Sequence, residues 1–108
     1  MPWTSLCELD ELTEGTGKYV EIGGFQLGVF LDRGNVFVTD NTCPHQGRGL
    51  SGGQIHEGCI VCPWHNWPFH LDSGQLRGAP GVAITVYKTR IVQPEGRPKL
   101  VQADLPIY

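Results

Sequence analysis

The stretch CIVCPWHNWPF, residues 59–69, contains two cysteines and one histidine within its first seven positions. A second stretch, NTCPHQGRGL (residues 41–50), contains one further cysteine and one further histidine. Each stretch has a proline directly after a cysteine, and the second is rich in glycine and polar residues, as loops are. We therefore interpret both stretches as loops that carry chemistry and the remaining residues as the scaffold that holds them.

The two loops offer ligands at short spacing, Cys43-x-His45 and Cys62-x2-His65, with sixteen residues between the pairs. Two metals accept this ligand set. Zinc binds two cysteines and two histidines tetrahedrally, and a [2Fe–2S] cluster can take two cysteines on one iron and two histidines on the other. Each loop supplies one ligand of each kind, so facing loops can place both cysteines on one iron. No helical stretch carries two histidines, as a zinc finger more often does, so the spacing favours the cluster while zinc remains open.

Cys59 competes with Cys62 for the role of ligand. Cys59 would give a C-x5-H spacing, and an offset of three residues along a strand turns its side chain to the opposite face. We expect Cys59 to be a buried thiol, since free cysteine is among the most buried residue types. A zinc or redox pair of Cys59 and Cys62 is the alternative. Cys7 is also expected to be structural.

The other two histidines are expected to have no function. His70 is expected at the surface or beside the ligands, and His56 in a solvated glycine-rich turn. Neither is expected to have a neighbour that resembles a metal ligand.

The scaffold is predicted to be all-β, because glycine is abundant (15 of 108 residues) and β-rich segments alternate with turns. Gly23-Gly24 is predicted to close a hairpin, and Gly34-Asn35 a second turn. No strand is expected between residues 43 and 58, and only ELDELTEG (residues 8–15) has a helical pattern. The predicted strands are 18–22, 25–30, 36–39, 58–62, 67–71, the clearest one at 82–92, and 99–103. Residues 1–108 are expected to form a single antiparallel domain.

Charge and hydropathy exclude several classes of function. The net charge of −3 argues against a nucleic-acid partner, which would require a basic surface. No stretch is long and apolar enough for a membrane span, and no signal peptide is visible, so a cytoplasmic protein is expected. In that reducing compartment the four cysteines are expected to be ligands or buried thiols. An early acidic run is expected to be a solvated face: Glu8, Asp10, Glu11, Glu14 and Glu21.

The double motif, with its two prolines, resembles the signature of Rieske [2Fe–2S] proteins. The resemblance extends to Leu50, Phe69, Gly74 and the stretch GAPGVAITVY (residues 78–87), where Rieske domains place a third, proline-bearing loop. It implies stacked antiparallel sheets and one cluster per chain. The implied ligands are Cys43, His45, Cys62 and His65, and the residues implied beside them are Gly47, Trp64, Trp67 and Pro80.

Within that family, three positions indicate a low reduction potential. Respiratory members carry an extra cysteine in each loop, and here those places hold Arg48 and Trp64. The same members have a serine two residues beyond the second histidine, where this chain has Trp67. The resemblance therefore implies a potential near the bottom of the Rieske range, about −150 mV.

The implied function is one-electron transfer by a ferredoxin component or by a small subunit of a redox enzyme, and not catalysis by this chain alone. The CPWHNW stretch (residues 62–67) resembles the small subunits of nitrite reductases slightly more than the ferredoxins of oxygenase systems. The expected partners are a flavin reductase as donor and an oxygenase or a nitrite reductase large subunit as acceptor. A zinc-stabilised interaction module with the same four residues is the alternative from another class.

Overall fold

The computed structural model describes residues 3–41, 49–62 and 66–106, except for the side chain of Pro80. Within these residues twelve strands form three antiparallel sheets. The strands are β1 (Trp3–Glu8), β2 (Thr16–Ile22), β3 (Phe25–Asp32), β4 (Asn35–Asp40), β5 (Gln54–His56), β6 (Cys59–Val61), β7 (Pro68–His70), β8 (Gln75–Leu76), β9 (Ala79–Ala83), β10 (Val86–Tyr87), β11 (Thr89–Val92) and β12 (Leu100–Asp104). The all-β prediction with stacked antiparallel sheets is confirmed.

Each sheet has a simple order. The small sheet runs β1-β12-β11, the central sheet runs β10-β4-β3-β2, and a third sheet, here called the loop sheet, runs β5-β6-β7-β8-β9. In chain order, the first candidate loop is residues 42–48 and the second is residues 62–67. The second loop connects β6 to β7 and therefore belongs to the loop sheet. Within the described residues, no helix is long and apolar enough to cross a membrane.

The central sheet lies between two hydrophobic cores because strand β3 is buried on both faces. Leu27 and Val29 enter a core that the small sheet completes with Val101 and Ala103. Phe30 enters the other core, to which the loop sheet contributes its buried side chains. Alternation along a strand sends odd and even positions to opposite faces, so one continuous apolar strand can serve both cores.

The predicted hairpin at Gly23-Gly24 is confirmed. Both glycines have positive φ, 57° and 86°, which residues without a Cβ adopt readily, and Ile22 pairs with Phe25 across the turn. The next turn lies one residue earlier than predicted. Arg33 and Gly34 occupy it, and Asn35 already belongs to β4, where it pairs with Asp32.

The segment predicted as the clearest strand, residues 82–92, is not one strand. It is divided among β9, β10 and β11, which belong to three different sheets. The residues at the breaks bond to other parts of the chain: the carbonyl of Thr85 accepts from the Asp40 amide (3.0 Å) and that of Lys88 from the Asp104 amide (2.9 Å). Since the segment contains no glycine or proline, tertiary contacts rather than local sequence set these breaks.

Four further segments differ from the prediction. The stretch expected to lack strands contains β5 and a 3-10 turn at Leu50–Gly52. Strand β1 was not predicted, and the helical candidate forms only a 3-10 turn at Leu9–Glu11. The segment expected as a third, proline-bearing loop runs as strand β9 at the edge of the loop sheet, with Pro80 in its backbone. These short elements are stabilised by their neighbours, and their own sequence gives little signal.

Candidate metal centre

The first candidate loop is closed at its base by Asn41. The backbone carbonyl of Asn41 accepts a hydrogen bond from the Leu50 amide at 2.7 Å, and its side-chain oxygen accepts one from the Ser51 amide at 2.6 Å. The Asn41 amide in turn donates to the Gln26 carbonyl at 2.9 Å, which ties the loop to the central sheet. Residues 42–48 begin and end at this anchored base. The predicted ligands Cys43 and His45, with Gly47, lie outside the described residues.

The second candidate loop is closed in the same way at its own base. Cys62 directly follows β6, and its amide donates to the carbonyl of Trp67 at 2.8 Å. Asn66, within this loop, adopts a positive φ of 57°, a conformation that asparagine tolerates better than most residues. Trp64 and His65 lie outside the described residues.

Of the four predicted ligands, the structure describes Cys62. Its side chain is buried in the core that also contains Leu50, whose amide bridges the first loop to Asn41. The ends of the two loops therefore meet at one core. Trp67 packs, partly buried, against the same core.

The approach of the two loops depends on Gly53, which follows the 3-10 turn at the end of the first loop. A Cβ on Gly53 would stand 2.1 Å from the carbonyl oxygen of Val61, the residue before Cys62. Only glycine allows this contact between the two backbones. A cavity of about 480 Å³ opens beside it, and its described lining is Gly52, Gly53, Gln54, Ile55, His56, Val61, Cys62 and Asn66.

Cys59 faces away from this core. Strand alternation turns Ile60 and Cys62 to the core and Cys59 to the opposite face of the loop sheet. Cys59 is nevertheless fully buried, as predicted. The expectation that His70 lacks a ligand-like neighbour is wrong, because its Nδ1 atom lies 3.5 Å from the Cys59 sulfur. β6 and β7 pair Cys59 directly with His70, a register that the sequence did not reveal.

Sequence reasoning also missed two polar contacts near the loops. Arg77 donates to the Cys59 sulfur at 3.2 Å. The Tyr87 hydroxyl donates to Asp40 Oδ1 at 2.7 Å, next to the base of the first loop. Burial, and then this hydrogen bond, raise the pKa of Tyr87. Asp40 and Tyr87 are 47 positions apart, and no local pattern connects them.

The remaining candidates behave mostly as expected. Cys7 is buried in the core between the small and central sheets, and the side chain of His56 is 73% exposed. The acidic run does more than face solvent. Glu11 accepts from the Glu8 amide, which lowers the pKa of Glu11, and Glu14 accepts from the amides of the Arg33-Gly34 turn.

The donor set suits an iron–sulfur cluster. Cys62 provides a sulfur buried beside an anchored loop base, and the sequence adds a second thiol and two imidazoles on the same two loops. Within the described residues, which exclude three of the four predicted ligands, no group of three or more His, Cys, Asp or Glu side chains could hold a metal ion. Stacked antiparallel sheets that present two such loops define a small metal-binding protein of the all-β class.

The comparisons with known proteins name the family. Residues 2–89 match the Rieske [2Fe–2S] domain. The chain belongs to the Rieske family, and its cofactor is therefore a [2Fe–2S] cluster. The family also decides between the two metals left open by the spacing, in favour of iron.

Similar proteins include small electron carriers. A protein described as an NADH-dependent nitrite reductase small subunit from Mycobacterium tuberculosis is 30% identical, with a TM-score of 0.83 and coverage of 97% of this chain and 96% of that one. Sphingomonas yanoikuyae B1 ferredoxin is 28% identical, with a TM-score of 0.80 and coverage of 96% and 99%. The ferredoxin component of the alkene monooxygenase system of Xanthobacter autotrophicus is 28% identical over 90 residues, 82% of this chain and 74% of that protein.

Much longer proteins carry a similar domain. This chain spans between 13% and 20% of the length of the first curated relatives that it matches. The activities of those longer proteins therefore say little about this chain. The Rieske domain match and the small relatives named above support a Rieske electron carrier.

Proposed function

We propose that Cys43, His45, Cys62 and His65 hold the [2Fe–2S] cluster, and that the chain acts as a low-potential one-electron carrier. The single observation that carries this assignment is the placement of Cys62. Its sulfur is buried in the core where the two loop bases meet, whereas Cys59, at the start of β6, faces away. Gly47, Trp64, Trp67 and Pro80 are proposed to surround the ligands.

The bound cluster supplies one-electron chemistry, and two neutral imidazoles in place of thiolates raise its potential relative to plant-type ferredoxins. The chain's own residues position the ligands. Asn41 closes the first loop, the Cys62 amide closes the second, and Cys62 packs in one core with Leu50 and Trp67. Positioning of this kind limits the rearrangement of the ligands when an electron arrives.

We propose that the physiological role is that of a small subunit in a nitrite reductase, with a flavin reductase module as donor and the large subunit as acceptor. Two observations support this role. The Mycobacterium tuberculosis relative matches nearly the full length of both chains. The CPWHNW stretch, residues 62–67, resembles that branch in having a tryptophan two residues past the second histidine.

A free ferredoxin that serves an oxygenase is the second candidate. The Sphingomonas ferredoxin and the ferredoxin component of the alkene monooxygenase system both match most of their own length. In either role, residues 1–108 are proposed to act as one unit in the cytoplasm. The thiols of Cys7 and Cys59 form no disulfide in the described part of the chain, which suits a reducing compartment.

The ligand assignment is tested by metal analysis of three proteins: the wild type, Cys62→Ser and, as a matched control, Cys59→Ser. Iron, acid-labile sulfide and zinc are measured, and an EPR spectrum is recorded after reduction with dithionite. We expect a full cluster with a low average g value in the wild type and in Cys59→Ser, and no such signal in Cys62→Ser. A normal cluster in Cys62→Ser would overturn the assignment.

The physiological role is tested with two acceptors, each lacking its own electron carrier. One is a nitrite reductase large subunit, and the other is an oxygenase with its reductase. The nitrite reductase role predicts a stable complex in size-exclusion chromatography and restored consumption of nitrite. Restored product formation by the oxygenase, without complex formation with the large subunit, would support the ferredoxin role instead.

A further inference from the structure

Cys59 lies on the outer face of the loop sheet, yet no part of it is exposed to solvent. It belongs to neither hydrophobic core, because its neighbour Ile60 takes the inward position. Two polar side chains lie within hydrogen-bonding distance of its sulfur: Arg77, whose Nη2 atom lies at 3.2 Å, and His70, whose Nδ1 atom lies at 3.5 Å. A thiol on an outward face is therefore covered by two long or broad polar side chains.

Arg77 also fixes the backbone that precedes Cys59. Its Nη1 atom lies 3.3 Å from a carboxylate oxygen of Glu57, and its Nη2 atom lies 3.4 Å from the Glu57 carbonyl. The Arg77 amide donates to the carbonyl of Pro68 in β7 at 2.9 Å. One residue thus connects β7, the turn before β6 and the first residue of β6. We call these contacts of Arg77 with Glu57 and Cys59 the Arg77 clamp.

The clamp acts on a strand with little support of its own. Strands β5, β6 and β7 have three residues each, so each pair contributes only a few backbone hydrogen bonds. Glu57, in the turn before β6, adopts a positive φ of 50°, which is uncommon for a residue with a Cβ. Side-chain contacts at this turn therefore contribute more to keeping β6 extended than they would beside a long strand.

The extension of β6 decides which thiols can meet. Two residues three apart on a strand are separated by about 10 Å and point to opposite faces. Cys59 and Cys62 therefore cannot bind one metal ion while β6 is extended. If the strand relaxes into a turn, the same residues form a C-x2-C pair, which is a common zinc-binding arrangement. The sequence thus contains a possible zinc site, formed by Cys59 and Cys62, that would compete with the cluster for Cys62. The extended conformation of β6 prevents this site from forming.

We propose that Arg77, together with His70, is a specificity-determining residue for metal assembly: the Arg77 clamp holds Cys59, at the start of β6, on the outer face and thereby leaves Cys62, the residue after β6, as the thiol that reaches the cluster. The inference rests on the proposed role of Cys62 as a ligand. His70 covers the sulfur from β7, and Arg77 covers it from the side of β8.

The first test measures access to the thiol of Cys59 in the iron-loaded protein, with a chromogenic aromatic disulfide as the reagent. Wild type is expected to react slowly, because Cys7 and Cys59 are both buried. Arg77→Met retains an unbranched stem but loses the side-chain contacts with Glu57 and Cys59. In this variant one thiol per chain is expected to react at least tenfold faster than in wild type. That fast thiol should be absent in the double variant Arg77→Met/Cys59→Ser.

Arg97→Met is the matched control, since Arg97 is exposed in the turn before β12. Equal rates in Arg77→Met and wild type would overturn the proposal.

The second test measures metal selection. Each apoprotein is reconstituted with iron, sulfide and an equal amount of zinc, and bound zinc and iron are counted. Arg77→Met is expected to take up several-fold more zinc per chain than wild type or Arg97→Met, and the added Cys59→Ser substitution should reverse the gain. A zinc-to-iron ratio that is the same with and without Cys59 in the Arg77→Met background would contradict the proposal.

If Arg77→Met does not fold, Arg77→Lys provides the same comparison. Lysine keeps the charge and a long stem but cannot contact Glu57 and Cys59 with separate nitrogens, so intermediate thiol reactivity and zinc uptake are expected. Wild-type values for both quantities would overturn the proposal. Failure of the Arg77 proposal can be distinguished from failure of the ligand assignment. The thiol-access test does not involve Cys62, whereas the ligand assignment is tested by Cys62→Ser in the otherwise unchanged protein.

Discussion

Gly53 and Val61 are in backbone contact at the point where the two loops converge. The ideal Cβ position at Gly53 lies 2.1 Å from the Val61 carbonyl oxygen and 3.2 Å from the Leu50 carbonyl oxygen. Gly53 follows the first loop's 3-10 turn, and Val61 precedes Cys62. The distance between the two loops is thus set by the absence of one side chain.

Gly53→Ala is expected to force these backbones apart. The added methyl group overlaps a backbone oxygen that cannot rotate away, so we expect a loss of stability of about 1–3 kcal/mol and a lower iron content, measured by thermal unfolding and metal analysis. Gly52→Ala is the adjacent control, because its Cβ would meet nothing within 4 Å. Equal iron content in the two variants would show that the contact does not set the loop spacing.

Tyr87→Phe removes the hydroxyl that donates to Asp40 beside the base of the first loop. Because a partly buried carboxylate loses its partner, we expect a loss of about 1–3 kcal/mol in the free energy of unfolding. Tyr19→Phe is the control. Tyr19 is 46% exposed, and a change within about 0.5 kcal/mol is expected. Chemical denaturation of both variants provides the comparison, and equal losses would contradict this account of Tyr87.

Cys7 makes the stability depend on pH in the alkaline range. Burial, assisted by the charge of Glu11 and opposed by Lys18, raises the pKa of Cys7 from 9.0 to about 11. The unfolded chain releases this proton first, so the contribution to stability is complete below pH 9.0 and is lost as the pH rises to about 11. One such group changes the free energy of unfolding by up to about 1.4 kcal/mol per pH unit.

Cys7→Ala should therefore show a flatter decline of stability between pH 9.0 and about 11 than the wild type. The measurement is urea unfolding at a series of pH values, compared by slope because the smaller side chain also lowers stability at every pH. Tyr87, whose pKa is also raised, is present in both proteins and contributes equally to both curves. Identical slopes would contradict the assignment to Cys7.

The reduction potential is expected near the bottom of the Rieske range, at about −150 mV. Trp67 lies where high-potential relatives have a serine, and its side chain is packed against the core and has no hydroxyl to donate to the cluster. Protein-film voltammetry measures the midpoint, and Cys62→Ser, which should lack the cluster, serves as the blank. A clearly positive midpoint would refute the expectation.

Local patterns predicted the elements that local chemistry determines. The Gly23-Gly24 hairpin follows from two residues that tolerate positive φ, and the burial of Cys59 and Cys7 follows from the usual behaviour of free thiols. The family resemblance rested on two short motifs that sequence alone displays in full. For these features, nearby residues contain the necessary information.

Pairings between distant residues were not predictable in the same way. His70 was expected to have no ligand-like neighbour, yet strand pairing places it beside Cys59, which is eleven positions away in the sequence. Arg77 gave no signal at all, since its contacts depend on the turn at Glu57. Strands β5 and β8 have three and two residues, too few for a pattern, and they exist because their neighbours supply hydrogen bonds.

The passage of residues 79–92 through β9, β10 and β11 links the stability of all three sheets. A single covalent cut in this segment would leave two fragments, each of which lacks strands that the other needs to complete a sheet. Because this segment contributes a strand to each sheet, the three sheets are expected to unfold together rather than one after another. Their amide hydrogens are expected to exchange together as well. An electron carrier built in this way would keep or lose its whole framework in one step.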